Sequence, residues 1–276
     1  MQNRLLAALS TSDLDLLKSS LHGVDLGVRQ VLESPGQPIL DVCFLQSGLV
    51  SVVATTRPDH RIEVGMVGHE GMTGLAVVLG DDRAANETVV QSAGSGLCIG
   101  AEALRSAMQR SASLTALLLR YVHLFLLQGS QTALANGRGR LDERLARWLL
   151  MWHDRLNTDD LVITHEFLAR LLGVRRQGVT ETLHALEGTG LIRSKRNLIR
   201  IVDREGLQRA AKGFYGIPEA EYDRSIPSLA GTPGGRATSD SRPDACRSVH
   251  SCPGPWSPTC RPPRAGRAPG SWSPCS

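Results

Sequence analysis

Residues 163–202 read ITHEFLARLLGVRRQGVTETLHALEGTGLIRSKRNLIRIV, and this stretch decides the fold of the C-terminal half. Thr164 is suited to cap a helix, and apolar residues recur behind it at helical spacing. The predicted elements are a helix over 166–172, a turn at Gly173-Val174, a second helix over 175–187 and a hairpin of 191–194 with 198–202. This order predicts a winged helix-turn-helix.

The second predicted helix carries side chains that suit the edges of DNA bases. Arginine can pair with guanine, glutamine with adenine, and glutamate can accept from cytosine. The N-terminal residues of a recognition helix reach into the major groove, whereas basic residues at a hairpin tip meet phosphates. The predicted DNA-binding residues are Thr164, Arg175, Arg176, Gln177, Thr180, Glu181, Lys195 and Arg196. The alternative interpretation is a small domain with a solvated basic face.

The distribution of charge supports a polyanionic partner. The net charge of the 276-residue chain is +4. Residues 228–276 carry six Arg and two Asp, which account for that total and leave residues 1–227 neutral. Within the neutral part, residues 164–212 carry ten basic and five acidic groups, a net of +5. A basic module on a neutral body is typical of a protein that binds nucleic acid.

The N-terminal half follows a different pattern. After a short amphipathic helical segment at 3–21, β-branched runs alternate with turn residues such as Ser47-Gly48 and Ala93-Gly94. The predicted strands lie at 28–32, 42–45, 50–54, 62–67, 88–91 and 97–99. Their even spacing predicts a barrel or a double-sheet jelly roll, and therefore an α+β protein overall.

A long helix is predicted from about 114 to 135, after a short one at 102–108, and Asn136-Gly137 is expected to break it as a hinge. One face has a heptad-like spacing of Leu114, Leu117, Tyr121, Leu124, Gln128 and Gln131. We expect this stripe to meet a second copy of the chain while a second row (Leu118, Val122, Phe125) covers the home domain. The alternative is that the stripe packs on its own domain.

These patterns divide the chain. The predicted domains are a β-roll sensor at 1–110, a dimerisation helix at 111–137, a winged helix-turn-helix domain at 138–227 that opens with a helix at 138–157, and a tail at 228–276. The tail is rich in Pro, Gly, Arg and Cys and should be disordered, either as a natural extension or as an out-of-frame product. Cys43 and Cys98 are predicted to be small buried hydrophobic residues.

A cytoplasmic location is expected. The apolar run at 114–127 contains Arg120 and His123 and is too short to span a bilayer. The apolar run near the N-terminus is too short for the core of a signal peptide, so no membrane partner is predicted.

Several motifs resemble the Crp/Fnr superfamily of bacterial transcription regulators, over about residues 1–212. The segments that carry the resemblance are RLARWLL at 144–150, THEFLA at 164–169, LGVRR at 172–176, GLI at 190–192 and IVDREGL at 201–207. In the N-terminal half, residues 44–50 and 64–72 are similar to the β-roll sensor of that family.

The resemblance implies a homodimer that binds a two-fold operator on double-stranded DNA and contacts RNA polymerase. It assigns base reading to Arg176, Gln177 and Glu181, and phosphate contacts to Thr164 and Arg175.

The departures from the family concern the effector. Cyclic-nucleotide binders pair a Gly-Glu with a later Arg-Ser or Arg-Thr, but here His69 precedes Glu70 and no arginine stands at Ala85-Asn86. The candidate effector residues are Glu70, Gly71 and Arg83, of which Arg83 would need a two-residue shift. Without a bidentate arginine, control by cyclic AMP is not expected.

The cysteine and histidine content bears on metal cofactors. The N-terminal cysteine cluster of the iron–sulfur members is absent, so an iron–sulfur cluster is not expected. Haem stays compatible with the sequence, because a single histidine such as His22, His60 or His123 can ligate iron.

Two rival functions belong to other classes. One is an effector-binding or scaffold protein that has lost sequence-specific DNA binding. The other is an enzyme with a cupin-like metal site, for which His60, Glu63, His69 and Glu70 are the nearest candidates. Because HExxH, GxSxG and P-loop motifs are missing, neither an enzyme nor a metal site is predicted. The effector, the operator sequence and the choice between activation and repression do not follow from the sequence.

Overall fold

The computed structural model describes residues 2–57 and 60–226. They form a mixed α and β structure with an N-terminal antiparallel sheet, a long helix and a C-terminal helix-turn-helix region, which confirms the predicted fold class. The prediction made for 228–276 lies outside the described residues.

The N-terminal half is a five-stranded antiparallel sheet in the order β1-β5-β3-β4, with β2 also paired to β5. Its elements are α1 (Arg4–Ala7), α2 (Thr11–Lys18), β1 (His22–Leu26), β2 (Val31–Glu33), β3 (Asp41–Arg57), β4 (His60–Val67), α3 (Leu75–Val78) and β5 (Glu87–Gly100).

Two predicted turns are instead irregularities inside long strands. The chain continues through Ser47-Gly48 in β3 and through Ala93-Gly94 in β5, and the register between the strands shifts there. Gly48 has a φ of +83°, and a Cβ at this position would lie 2.7 Å from the carbonyl oxygen of Ser92. Glycine therefore allows the two backbones to approach closely, so each pair of predicted strands merges into one.

The prediction for Cys43 and Cys98 was incomplete. Both are buried, as expected, but they lie opposite each other on β3 and β5 and form a disulfide across a Cα–Cα distance of 4.1 Å. Neither strand contains a second cysteine, and their pairing depends on the sheet register, which the sequence pattern does not reveal.

The helices α4 (Ala101–Arg110), α5 (Ala112–Arg138) and α6 (Leu141–Leu156) follow the sheet. The break predicted at Asn136-Gly137 is wrong, because α5 runs through both residues and ends at Arg138, with Gly139 as its C-cap. Within the described residues, α5 alone is long and apolar enough to cross a membrane, with a window of mean hydropathy 1.3. Of that window, 39% is buried inside the protein.

The stripe predicted as a dimer seam faces the home domain. Leu114, Leu117, Tyr121, Leu124 and Gln128 are all buried in their own chain, and Gln131 is half-buried. Gln128 accepts from the backbone N–H of Met66 at 2.6 Å and donates to its carbonyl oxygen at 3.2 Å. The second row, at Leu118, Val122 and Phe125, is also covered. Both apolar rows therefore pack within a single copy of the chain.

The C-terminal half combines helices with a three-stranded sheet in the order β6-β8-β7. Its elements are β6 (Asp160–Val162), α7 (His165–Leu172), α8 (Arg176–Gly188), β7 (Ile192–Lys195), β8 (Leu198–Ile201), α9 (Arg204–Ala210) and α10 (Ile217–Ser225). Its core also includes Leu49, Val53 and Met66 from the N-terminal sheet, so the two halves share one packed junction.

Candidate nucleic-acid interface

Capping residues define where α7 begins and ends, and buried residues define which face of α8 is exposed. The Oγ1 of Thr164 accepts from the backbone N–H of Phe167 at 3.1 Å and caps α7. Gly173 ends α7 with a φ of +65°, a left-handed conformation that glycine adopts without strain. Val179, Leu183 and Leu186 of α8 are buried in the core, so the opposite face of α8 is turned to solvent.

The solvent face of α8 carries most of the predicted reading residues. Arg175, at the N-cap position, and Arg176, Gln177 and Glu181 are all exposed. Gln177 donates to Glu181 through Nε2 and Oε1 at 2.8 Å. This bond holds the two side chains side by side, four residues apart on one helix face.

Thr180, another predicted DNA-binding residue, contacts both α7 and its own helix. It is half-buried; its hydroxyl donates to the carbonyl oxygen of Arg176 and lies 3.0 Å from Nδ1 of His165. Burial, together with the nearby Arg176 and His184, lowers the pKa of His165. The contact with Thr180 places His165 to position this side chain between the helices, a role that the sequence pattern did not indicate.

The wing is the hairpin of β7 and β8. Lys195 ends β7, and the turn through Arg196 and Asn197 places all three side chains in solvent. Asn197 has a φ of +59°, which asparagine tolerates better than most residues. The predicted link of three residues, 195–197, is therefore a two-residue turn in the structure, because Lys195 still belongs to β7, and Lys195 and Arg196 lie at the tip of the hairpin.

The basic residues of this face differ in whether they are neutralised. Arg170 pairs with Glu166, and Arg200 pairs with Asp160. In the described part of the chain, Arg175, Arg176, Lys195 and Arg196 form no ion pair. Exposed, unpaired cations on α8 and the wing give this face the positive potential that a phosphate backbone requires.

A buried carboxyl joins this domain to the N-terminal sheet. Glu63 of β4 accepts a hydrogen bond from Nε1 of Trp148 in α6 at 2.8 Å and another from the hydroxyl of Ser51. Burial raises the pKa of Glu63 to about 7, although both hydrogen bonds and the nearby Arg155 and Arg147 oppose that rise. No local pattern of residues indicates this contact, because it depends on how the two halves dock.

The candidate effector residues do not converge. Glu70 forms a buried ion pair with Arg155 of α6, with 2.7 Å between Oε1 and Nε. Gly71 lies against Tyr121, whose hydroxyl oxygen would be 1.9 Å from a Cβ at this position. Arg83 is exposed and donates to the carbonyl oxygen of Gly36. The substitution of Arg83 for the family's phosphate-binding arginine is therefore not supported.

The residues considered for a cupin-like metal site are engaged elsewhere. Glu63 and Glu70 have the partners just described, and His69 contacts the carbonyl oxygen of Arg155 through Nδ1 at 3.2 Å. Over residues 2–57 and 60–226, no three His, Cys, Asp or Glu side chains group as metal ligands would.

The helix-turn-helix region is similar to a known family of domains. Residues 143–210 match the Crp-like helix-turn-helix domain family. The resemblance to the Crp/Fnr superfamily is confirmed. The Crp-like domain spans α6 to α9 and so includes both helices of the motif and the wing. No curated protein matches the chain.

Several solved structures have the same fold, and the similarity extends over nearly the whole length of each of those chains. A protein described as a Crp/Fnr-family transcriptional regulator from Eubacterium rectale is 19% identical, with a TM-score of 0.61 over 74% of this chain and 96% of its own. FixK2 from Bradyrhizobium japonicum is 16% identical, with a TM-score of 0.59 over 69% and 96%. The c-di-GMP responsive regulator CLP of Xanthomonas campestris is 20% identical, with a TM-score of 0.56 over 70% and 99%. The chain thus has the fold of Crp/Fnr-type transcription regulators.

Proposed function

We propose that this chain is a sequence-specific DNA-binding transcription regulator that acts as a homodimer on a two-fold operator. The observation that carries the proposal is the exposed, unpaired set of cations on α8 and the wing, within a Crp-like helix-turn-helix domain. We assign base reading to Arg176, Gln177 and Glu181, and phosphate contacts to Thr164, Arg175, Lys195 and Arg196. Thr180 is assigned a supporting position beside His165.

A row of exposed residues on α5 favours dimerisation through that helix. The row alternates steps of four and three residues and consists of Ala112, Ala116, Leu119, His123, Leu126, Ser130, Ala133 and Gly137. Leu119 is 43% exposed and Leu126 is 62% exposed, in a row whose other members are mostly small. This is the spacing of a two-stranded coiled-coil seam, and small residues let two helices approach closely.

A second copy of this chain is the occupant that suits the row. A two-fold axis beside α5 places the same row of each copy against the other, so one sequence satisfies both sides. It also gives the two recognition helices the symmetry of a palindromic operator. We therefore replace the stripe that begins at Leu114 by the row that begins at Ala112.

The remaining assignments follow the predicted division of the chain. Residues 1–110 would serve as the sensor, 111–137 as the dimer helix and 138–227 as the DNA-binding domain, with RNA polymerase as the further partner implied by the resemblance.

The cytoplasm is the compartment that gives access to DNA. Disulfides are uncommon there, but Cys43 and Cys98 are only 6% and 2% exposed, so little of either sulfur is open to attack by small thiols.

Replacement of Arg176 by alanine should weaken binding to the preferred operator by roughly 1–3 kcal/mol and relax specificity at one base pair. The physical reason is the loss of bidentate hydrogen bonds to one base. Fluorescence anisotropy with the preferred duplex and its single-base variants measures both effects. Arg83→Ala is the matched control, because Arg83 is also an exposed arginine but lies on the predicted sensor; an equal loss on every duplex would instead make Arg176 a phosphate contact.

Cyclic AMP is not expected to change the affinity of the protein for DNA. Arg83 donates to the carbonyl oxygen of Gly36, and Glu70 is already paired with Arg155, so both groups are engaged within the protein and unsuited to binding a cyclic phosphate and its ribose. Operator titrations with and without the nucleotide test this expectation. A shift in affinity that saturates with nucleotide concentration would contradict it.

A further inference from the structure

A cavity of about 240 Å³ lies where the sensor, α5 and the C-terminal domain meet. Its floor is formed by the buried Tyr121 of α5 and Arg155 of α6. α10 closes one side, and the cavity reaches solvent near Asp223, whose side chain is 70% exposed. The elements that would sense an effector and the elements that would bind DNA therefore share this cavity.

The walls concentrate aromatic side chains. The chain has only three tyrosines, and all of them (Tyr121, Tyr215 and Tyr222) line this cavity together with Phe125. The hydroxyl of Tyr222 donates to the carbonyl oxygen of Glu70, and that of Tyr215 donates to Asp154. Because these hydroxyls are held by the protein, the ring faces are what the tyrosines can offer to a ligand.

Two of these rings already hold cations of the chain itself. The guanidinium of Arg4 lies 4.5 Å from the ring centroid of Tyr222, and that of Arg204 lies 5.6 Å from the centroid of Tyr215. Aromatic faces of this kind attract organic cations through the ring quadrupole.

The charges around the cavity do not favour an anion. Each lining arginine is paired, Arg4 with Asp223, Arg155 with Glu70 and Arg204 with Asp154. A fourth carboxylate, Glu219, has no ion pair among the described residues and accepts only the backbone N–H of Gly216 at 3.0 Å. Among the side chains that line the cavity, four carboxylates therefore face three arginines, and the buried Arg147, outside the lining, also interacts electrostatically with Glu219.

We propose that this cavity is an effector site for a small organic cation, such as a quaternary ammonium or an alkylguanidinium, with Glu219 as counter-ion and Phe125 and the tyrosines as walls. A ligand there would contact the turn after β4, α5 and α10 together. Its occupancy would bias how the DNA-binding domain sits on the sensor.

The test is calorimetric titration of the full chain with choline, tetramethylammonium and methylguanidinium. The matched neutral probe is dimethylbutanol, in which a carbon replaces the ammonium nitrogen of choline. We expect at least one cation to saturate a single site with a Kd of about 1 mM or tighter, and dimethylbutanol to bind at least about fivefold more weakly. Equal binding of the neutral probe, or no binding of all three cations up to about 50 mM, would overturn the proposal.

Two variants locate the site. Glu219→Gln removes the charge but keeps an acceptor for Gly216, and Phe125→Leu removes a ring but keeps an apolar side chain. Each should weaken the cation by about fivefold, whereas Glu102→Gln, on a carboxylate whose side chain is 91% exposed, should not. Unchanged binding in both variants, with native melting curves, would place the ligand elsewhere and contradict the proposal.

An effect of the cation on operator affinity is a separate readout. It alone rests on the proposed DNA-binding function. Saturable cation binding in a protein that binds no DNA would therefore leave the site established and the DNA-binding proposal refuted.

Discussion

Replacement of Leu126 by glutamate is expected to convert the protein from a dimer to a monomer. The row on α5 would bring this residue close to its own copy across the two-fold axis, so the change places two like charges in a seam whose neighbouring positions are His123 and Ser130. A monomer holds one recognition helix rather than two. The loss of the linked second contact should weaken binding to a two-fold operator by roughly 100- to 10,000-fold.

Light scattering and operator titration measure this effect together. Leu79→Glu is the matched control, because Leu79 is 61% exposed against 62% for Leu126 and lies outside α5. We expect the control to remain dimeric with unchanged affinity. A Leu126→Glu protein that stays dimeric would show that the partner does not dock on this row.

Replacement of Glu63 by glutamine should stabilise the protein at pH 8 by about 3 kcal/mol and flatten its pH dependence. Burial raises the pKa of Glu63 from its ordinary 4.5 to about 7. Between these values the folded chain holds a proton that the unfolded chain has released, so the free energy of unfolding falls as the pH rises. Above about pH 7 both states are ionised and the full cost of burying the charge is present.

Glutamine keeps the geometry of the junction while removing the ionisation. Its carbonyl oxygen can accept from Trp148 and its amide can donate to the hydroxyl of Ser51. Denaturation at a series of pH values measures the free energy of unfolding of both proteins. Glu102→Gln is the control and should follow the wild-type curve, since its side chain is 91% exposed. Parallel curves for wild type and Glu63→Gln would refute the raised pKa.

The elements that local signals specify were predictable from the sequence. The capping Thr164, the left-handed Gly173 and the apolar spacing of α8 set the helix-turn-helix, and each depends on residues only a few positions apart. The solvent-facing Arg176, Gln177 and Glu181 follow from the same periodicity, because the buried face of α8 fixes the exposed one.

The sequence-based predictions that were wrong or incomplete concern features that depend on contacts between distant segments. The Cys43–Cys98 disulfide requires the register of β3 on β5, and the merging of strands requires Gly48 to face Gly94. α5 carries apolar residues on nearly every face, so periodicity could not tell which row meets the sheet and which is left exposed. Docking of the two halves decides that choice, and the same docking buries Glu63 and Arg155.

Selection from a random pool of DNA duplexes tests whether α8 reads a two-fold operator. We expect enrichment of a palindromic motif whose half-sites are about one helical turn, or 10 bp, apart, with binding that weakens steeply as salt increases. A pool that shows no enriched motif, or an enriched motif without two-fold symmetry, would contradict it.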